Sequence, residues 1–285
     1  MLGMEMPDFA RWSDRVVTAL GQNPGAFTGP GTNTYLVGTG DARILLDTGD
    51  GRENYLPVLE QAMEFAGCQS LQEIVLTHGH PDHIGGVESI LERMGPLRVS
   101  KMPDSGFDAP YSFPMEELGN GCAIETEGAT LRGFHTPGHA PDHLCFMLEE
   151  ERGLFTGDNV LGVGTTVIPA ESGSLADYMA SLEGLLSLEP ARIFPAHGPL
   201  VEDGSAKIRE YIEHRQERET QVLAALEKGT TRVSDIVKII YAAYPESLHA
   251  AAGQSVTSHL HKLEAEGRVS RDPGDGPGAE HWRLG

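Results

Sequence analysis

The sequence predicts an α/β protein that ends in a helical tail. Three observations carry that expectation. Short apolar runs bounded by glycine, proline and aspartate recur in two batches, one within 15–100 and one within 129–195. Among them, apolar residues fall at helical spacing over 55–66 and 175–188. After residue 206 the strand-like runs give way to three helical stretches and a short ribbon. Strand runs alternating with helical periods define an α/β class, and periodicity alone says no more than that.

The elements follow in order. A first strand is expected over 15–20, then a glycine- and proline-rich loop over 22–31. Strands over 33–37 and 42–47 flank a Gly38-Thr39-Gly40-Asp41 turn. Residues 55–66 read as a helix, with Pro57 near its start, Gly67 past its end, and Leu59, Ala62, Met63 and Ala66 on its inward stripe. Ile74-Val75-Leu76 reads as a buried strand, and 84–94 as a helix. A short strand at 97–100 precedes an irregular segment, 103–120, rich in proline, glycine and aspartate. Strands over 129–134, 143–148 and 154–155, a helix over 175–188 and a strand over 192–195 complete this part.

The tail reads differently. Ile208, Tyr211, Ile212, Val222, Leu223 and Leu226 mark one face of a long helix ending near Gly229. A second helix is expected over 233–243, and a third over 255–266 with Ser255 as N-cap and Gly267 as C′. Strands at 269–271 and 281–284 flank a turn over 272–278. Helices followed by a two-stranded ribbon look like a winged helix.

Composition bounds the function. At 39% hydrophobic and 22% charged, the 285 residues suit a globular chain with a sizeable core. Residues 1–206 hold 10 Lys+Arg against 30 Asp+Glu, so most of the net charge of −21 lies there and repels polyanions. Residues 207–285 are nearly neutral, with 11 against 12. Cys68, Cys122 and Cys145 are far apart and odd in number, which argues against a disulfide framework and for a reducing compartment. Residues 1–8 lack a basic region and a long apolar region, so no secretory signal is expected and the cytoplasm is the expected location. No apolar run is long enough for a membrane span.

The chemistry is concentrated in Thr77-His78-Gly79-His80-Pro81-Asp82-His83, which follows the apolar run 74–76. Imidazole and carboxylate together suit zinc or a similar first-row ion. Partners lie further on: His139 in His135-Thr136-Pro137-Gly138-His139, Asp158 in Thr156-Gly157-Asp158-Asn159, and His197 in Ala196-His197-Gly198-Pro199. Each follows an apolar run and sits beside glycine or proline. His143 is a rival to His139.

HxHxDH, HTPGH, GD and AHGP in this order resemble the metallo-β-lactamase superfamily over most of 14–206. The resemblance implies an αββα sandwich over 1–206, followed by a small winged-helix-like domain over 207–285. It implies two zinc ions per chain, one on His78, His80 and His139, the other on Asp82, His83 and His197, with Asp158 bridging. It prefers His139 to His143, which begins an apolar strand, and leaves His135 a structural role. Two ions about 3.5–4 Å apart can share a hydroxide. Asp82 would orient it, as the catalytic residue.

Within the superfamily, Asn23-Pro24-Gly25, the run 31–37, Asp47-Thr48-Gly49, the run 161–167 and the tail resemble the β-lactamase-like protein 2 group. That group includes a single-strand endoribonuclease and thioesterases acting on carrier-bound acyl chains. The expected activity is hydrolysis of an ester, thioester or lactam carbonyl, the substrate being a small molecule or an acyl thioester. Cleavage of single-stranded RNA is the alternative. The third tail helix offers only Lys262 as a firm cation, beside Glu264 and Glu266, so packing or a homo-oligomer is the simpler role for the tail. His214, His249, His259, His261 and His281 read as surface residues. Because the seven ligands precede residue 207, the centre is expected to assemble without the tail.

Overall fold

The computed structural model describes residues 3–243, 245–274 and 280–285. The expected ribbon turn lies partly outside them, as do the first two residues of the segment read for a signal. Strands β1 (Phe9–Arg11), β2 (Val16–Leu20), β3 (Asn33–Val37) and β4 (Ala42–Leu46) form an antiparallel run. After helix α1 (Tyr55–Ala66), β5 (Ser70–Val75), β6 (Arg98–Lys101) and β7 (Glu116–Glu117) join it in parallel, in sequence order. Helices α2 (Pro81–Ile84), α3 (Val87–Met94) and α4 (Ser105–Asp108) lie between these strands. The second sheet has the order β12-β11-β10-β9-β8, from β8 (Ala123–Thr126), β9 (Ala129–His135), β10 (Leu144–Leu148), β11 (Gly153–Gly157) and β12 (Arg192–Pro195). Helix α5 (Leu175–Ser187) precedes β12. The tail comprises α6 (Gly204–Glu227), α7 (Val233–Ile240), α8 (His249–Ala265) and the ribbon β13 (Val269–Asp272) with β14 (His281–Leu284).

Period-two alternation explains the layering. Val17, Ala19, Leu36 and Leu45 face α1 and α3, meeting Leu59, Ala62 and Ile90. Their neighbours Val16, Tyr35, Ile44 and Leu46 face the second sheet, meeting Leu144, Phe146, Phe155 and Phe194. Cys145, Met147, Leu154 and Ile193 then face outward onto Tyr178 and Leu182 of α5 and Ile208 and Tyr211 of α6. Helix, sheet, sheet and helix stack around three apolar cores, the αββα arrangement. Strands buried on both faces read as continuous apolar runs, which is why they stood out.

Several elements depart from expectation. The helix expected over 84–94 is two helices. The first begins at Pro81 and stops at Gly85-Gly86. The cause is close backbone approach: a Cβ on Gly86 would lie 2.1 Å from the Thr48 carbonyl oxygen. Asp82 and His83 therefore sit on a helical turn, not in a loop. The short edge strands β1 and β8 were not expected, and the segment 103–120 contains α4 and β7. Helix α8 already starts at His249, because Ala250-Ala251-Ala252 favours helix, so Ser255 is interior and caps nothing. Gly267 does take the left-handed conformation past the helix end. His259 is 1% exposed, so it is a core residue of the tail rather than a surface one.

Helix α6 crosses position 206 without a break. Its first half belongs to the core with α5. In its second half, Val222, Ala225 and Leu226 pack with Val256, Leu260 and Trp282. The first half also holds the segment after β11. The Tyr211 hydroxyl accepts from Leu161 N at 2.9 Å and donates to Gly164 O at 2.9 Å, and Arg215 Nη2 donates to Thr166 O. Helix α6 thus contacts the segment that follows Asp158, and the expectation that the centre assembles without the tail is tested by removing it. A chain ending at Asp203 is expected to lose bound metal as well as solubility, read by elemental analysis of its soluble fraction. Tyr211→Phe should lower stability by about 1–3 kcal/mol by leaving the buried Leu161 N–H unpaired. An unchanged denaturation midpoint would show that the brace is idle.

Candidate metal centre

All seven expected ligands converge at one end of the two sheets. His78 and His80 follow β5, Asp158 follows β11, and His197 follows β12. One group brings together His78, His80, His139 and Asp158, and a second brings together Asp82, His83 and His197; within each, the candidate ligand atoms lie within 4.8 Å of one another. His80 Nδ1 is 2.9 Å from His78 Nε2 and 3.0 Å from His139 Nε2. His197 Nε2 lies 3.3 Å from Asp82 Oδ2, and His83 Nε2 lies 3.5 Å from it. Asp158 spans both groups: Oδ2 is 3.4 Å from His139 Nε2, while Oδ1 is 3.0 Å from His197 Nε2 and 3.5 Å from His83 Nε2.

These spacings test whether metal ions fit. A tetrahedral ion with bonds of about 2.0–2.1 Å has ligand–ligand edges of about 3.3 Å. The contacts above, 2.9 to 3.5 Å, are edges of that size. His83 Nε2 and Asp158 Oδ1 are buried and have no hydrogen-bond partner among the described residues. The donor set fits two first-row ions.

The surroundings select the ring nitrogen that faces inward. His83 Nδ1 lies 2.8 Å from Asp47 Oδ2, His78 Nδ1 3.0 Å from Thr77 Oγ1, and His139 Nδ1 2.9 Å from Val167 O. Donation from each Nδ1 leaves Nε2 free as a ligand. His80 instead presents Nδ1. His143 has both nitrogens engaged: Nδ1 lies 3.0 Å from Thr136 Oγ1, and Nε2 accepts from Asp158 N at 3.1 Å. It supports Asp158 from behind. The His135 Nε2 donates to Pro141 O at 2.8 Å, outside both groups. A cavity of about 450 Å³ lies beside His135, lined by Phe134, Pro137 and residues of α5, and no residue of either metal group lines it.

Sequence reasoning gave two supports no role. Asp47 follows β4 with φ 60, a left-handed conformation that aspartate tolerates better than most residues. Its carboxylate accepts from Thr77 N at 2.8 Å and Thr77 Oγ1 at 2.9 Å, besides facing His83. Lys101 is 1% exposed and reaches Asp142 at 2.6 Å and Asp108 at 2.8 Å, beneath the Gly79 turn. Asp47 could have been suspected from its isolated place at a strand end. Nothing in the sequence pairs Lys101 with Asp142.

Electrostatics divides the centre. Burial, reinforced by neighbouring imidazoles, holds His78 well below the usual histidine range and lowers His80 to about 4. Burial also opposes charge on His83 and His197, but adjacent carboxylates outweigh it. They hold His83 well above the usual range and raise His197 to about 9. For Asp82, burial is outweighed by His83 and His197, and its pKa falls to about 2.

The profile of the Metallo-beta-lactamase superfamily matches residues 27–197, and that of the Beta-lactamase associated winged helix domain matches 233–282. A Beta-lactamase-like protein 2 homolog from Drosophila melanogaster is 39% identical, with 93% of this chain and 92% of the relative covered. A lactamase-like protein, adaB, from Aspergillus niger is also 39% identical, over 93% and 84%. Among solved structures, a beta-lactamase domain protein from Burkholderia ambifaria has a TM-score of 0.82 at 20% identity, covering 99% and 96%, a likeness of fold. TTHA1623, solved in a di-iron-bound form, has a TM-score of 0.52 at 29% identity, covering 64% of this chain and 93% of its own. Fold, metal-fitting site and these likenesses define the class, a superfamily whose members are typically hydrolases. The chain belongs to the metallo-beta-lactamase superfamily and groups there with the beta-lactamase-like protein 2 homologues.

Two outcomes are expected of the centre. Asp158→Ala should reduce metal at both groups, whereas His135→Ala should keep its metal; equal loss in elemental analysis would refute the bridging role. Filling the Asp82 group should displace protons held on His83 and His197, so its affinity rises with pH through the neutral range, whereas His80 is already neutral above about pH 4. Calorimetry in buffers of different ionisation heat reads this. Absence of proton release at pH 7 would contradict the division.

Proposed function

We propose that the protein is a dinuclear zinc hydrolase acting on an ester, thioester or lactam carbonyl. His78, His80 and His139 would hold one ion, Asp82, His83 and His197 the other, with Asp158 between them. When bound, such ions supply Lewis acidity and water ionised near neutral pH. The chain supplies orientation. Thr32 Oγ1 donates to Asp82 Oδ2 at 3.2 Å, fixing this carboxylate where it can orient the attacking water. The Phe107 ring lies 5.0 Å from that of His80, edge to face, and gives the centre an apolar neighbour. Substrates are small molecules or acyl thioesters.

One observation favours carbonyl over phosphodiester chemistry: Lys262, Arg268 and Arg283 of the winged-helix part are already paired. Lys262 lies 2.7 Å from both Glu219 and Glu266, and Arg268 lies 2.7 Å from Glu219. Arg283 lies 2.7 Å from Asp272. Nucleic-acid affinity depends on cations free to neutralise phosphates. Cleavage of single-stranded RNA is the second reading, supported by the group in which the chain falls.

Zinc-loaded full-length protein should turn over an acyl thioester or a β-lactam at a rate that changes less than about twofold between 50 and 200 mM salt. Binding through six to ten phosphate contacts would weaken about 10³-fold or more over the same range. RNA cleavage with that salt dependence, without carbonyl turnover, would replace the first reading with the second. Loading with iron in parallel shows whether the ion must be zinc.

A further inference from the structure

We propose that Arg215, Arg218 and His259 form a binding site for a small oxyanion of the phosphate class, enclosed between α6 and α8. The site stands apart from the metal ligands and does not rest on the hydrolase reading.

The observation is buried positive charge without a counter-charge. Arg215 and Arg218 are 4% and 8% exposed. Among the described residues, no carboxylate lies within 4 Å of either guanidinium, although Glu219 on the same helix pairs with Lys262 and Arg268. Each guanidinium carries five N–H donors. Arg215 Nη2 donates to Thr166 O, and Arg218 Nη1 donates to Gln221 Oε1 at 2.6 Å. Both Nε atoms are buried and have no hydrogen-bond partner among the described residues.

His259 faces the same region from α8. Both of its ring nitrogens are buried and have no hydrogen-bond partner among the described residues, as is true of Nδ1 of His214 on α6. Burial, then the charges of Arg215, Lys262 and Arg218, lower His259 to about 3. The Tyr178 and Tyr241 rings stack on Arg215 and Arg218 at 5.3 and 4.4 Å, orienting the two planes and offsetting part of the charge.

Two like charges held together in the interior require compensation. An oxyanion with several acceptor oxygens matches the orphan donors, and paired guanidiniums suit phosphate geometry. His259, on the neutral side at pH 7, can donate one further hydrogen bond. Burial favours free phosphate over the phosphate group of a larger molecule.

The test uses zinc-loaded full-length protein. Titration with inorganic phosphate, against chloride at equal ionic strength, should give saturable heat and a raised melting temperature. Arg218→Gln should weaken binding about tenfold or more by removing charge-assisted hydrogen bonds, and Arg218→Lys should retain part of it. Phosphate held by the metal ions would be unaffected by Arg218→Gln, so equal binding in wild type and variant overturns the proposal. Glycerol phosphate in place of phosphate separates the sources: binding of both identifies the phosphate group of a larger ligand, and binding of phosphate alone identifies the free ion. If Arg218→Gln fails to fold, hydrogen exchange on the wild type decides. Amides of 211–218 and 256–262 should exchange more slowly in phosphate than in chloride, and no difference overturns the site.

Discussion

The metal centre depends on a single buried carboxylate that is not itself among the expected ligands. Asp47 leaves β4 in a left-handed conformation that turns its side chain toward the end of β5. There it meets Thr77 N, Thr77 Oγ1 and His83 Nδ1, three donors at 2.8–2.9 Å. The contact with Thr77 sets where the strand ends and the metal motif begins. That with His83 sets the tautomer and aims Nε2 inward. At 2% exposure, the carboxylate has little water to compete for it, so these bonds are strong and costly to break. The break at Gly85-Gly86 serves the same packing, since it lets the 48–49 backbone close on the turn that carries His83.

The two sheets are tied together at the same end. Asn33 Nδ2 donates to Pro195 O at 2.9 Å and Gly198 O at 2.8 Å, and Tyr35 donates to Pro195 O at 2.6 Å. Leu144 N donates to Thr77 O at 2.8 Å, which joins the second sheet to the first metal motif. Ligands from distant parts of the chain therefore rest on one hydrogen-bonded frame. This matters because charge alone would not assemble them. His78 and His80 repel each other's protons and remain neutral, while His83 and His197 are attracted to Asp82 and Asp158. The frame holds both kinds of neighbour at coordination distance.

Much of this was legible in the sequence, for a physical reason. A ligand must be polar, must sit at a strand end, and must be buried beside its peers. Histidine and aspartate after apolar runs mark that pattern, as His78, Asp158 and His197 do. Both-face burial made most strands visible, whereas β1 and β8, short and at sheet edges, carry no such run. Long-range polar pairs left no signal. Lys101 with Asp142 and Arg215 with Thr166 join residues 41 and 49 positions apart, and neither spacing has a period that a sequence displays. The start of α8 was misplaced because Ser255 resembles a cap, while the alanines before it extend the helix.

The tail is where sequence and structure differ most in meaning. Helical periods after residue 206 suggest an appendage, and the acidic main part suggests one with its own role. Yet α6 is one continuous helix with two employments. Its first half packs against α5 and braces 161–166; its second half is the floor on which α7, α8 and the ribbon sit. Thr166 links the brace to the centre, since its hydroxyl donates to the Asp158 carbonyl while its own carbonyl accepts from Arg215. Ser258 of α8 adds a second strut at Ile168 O, 2.8 Å away, one residue past the carbonyl that faces His139. A displacement of the winged helix relative to the sandwich must therefore strain the segment that presents Asp158 and steadies His139. The tail is thus packed onto the segment that presents Asp158.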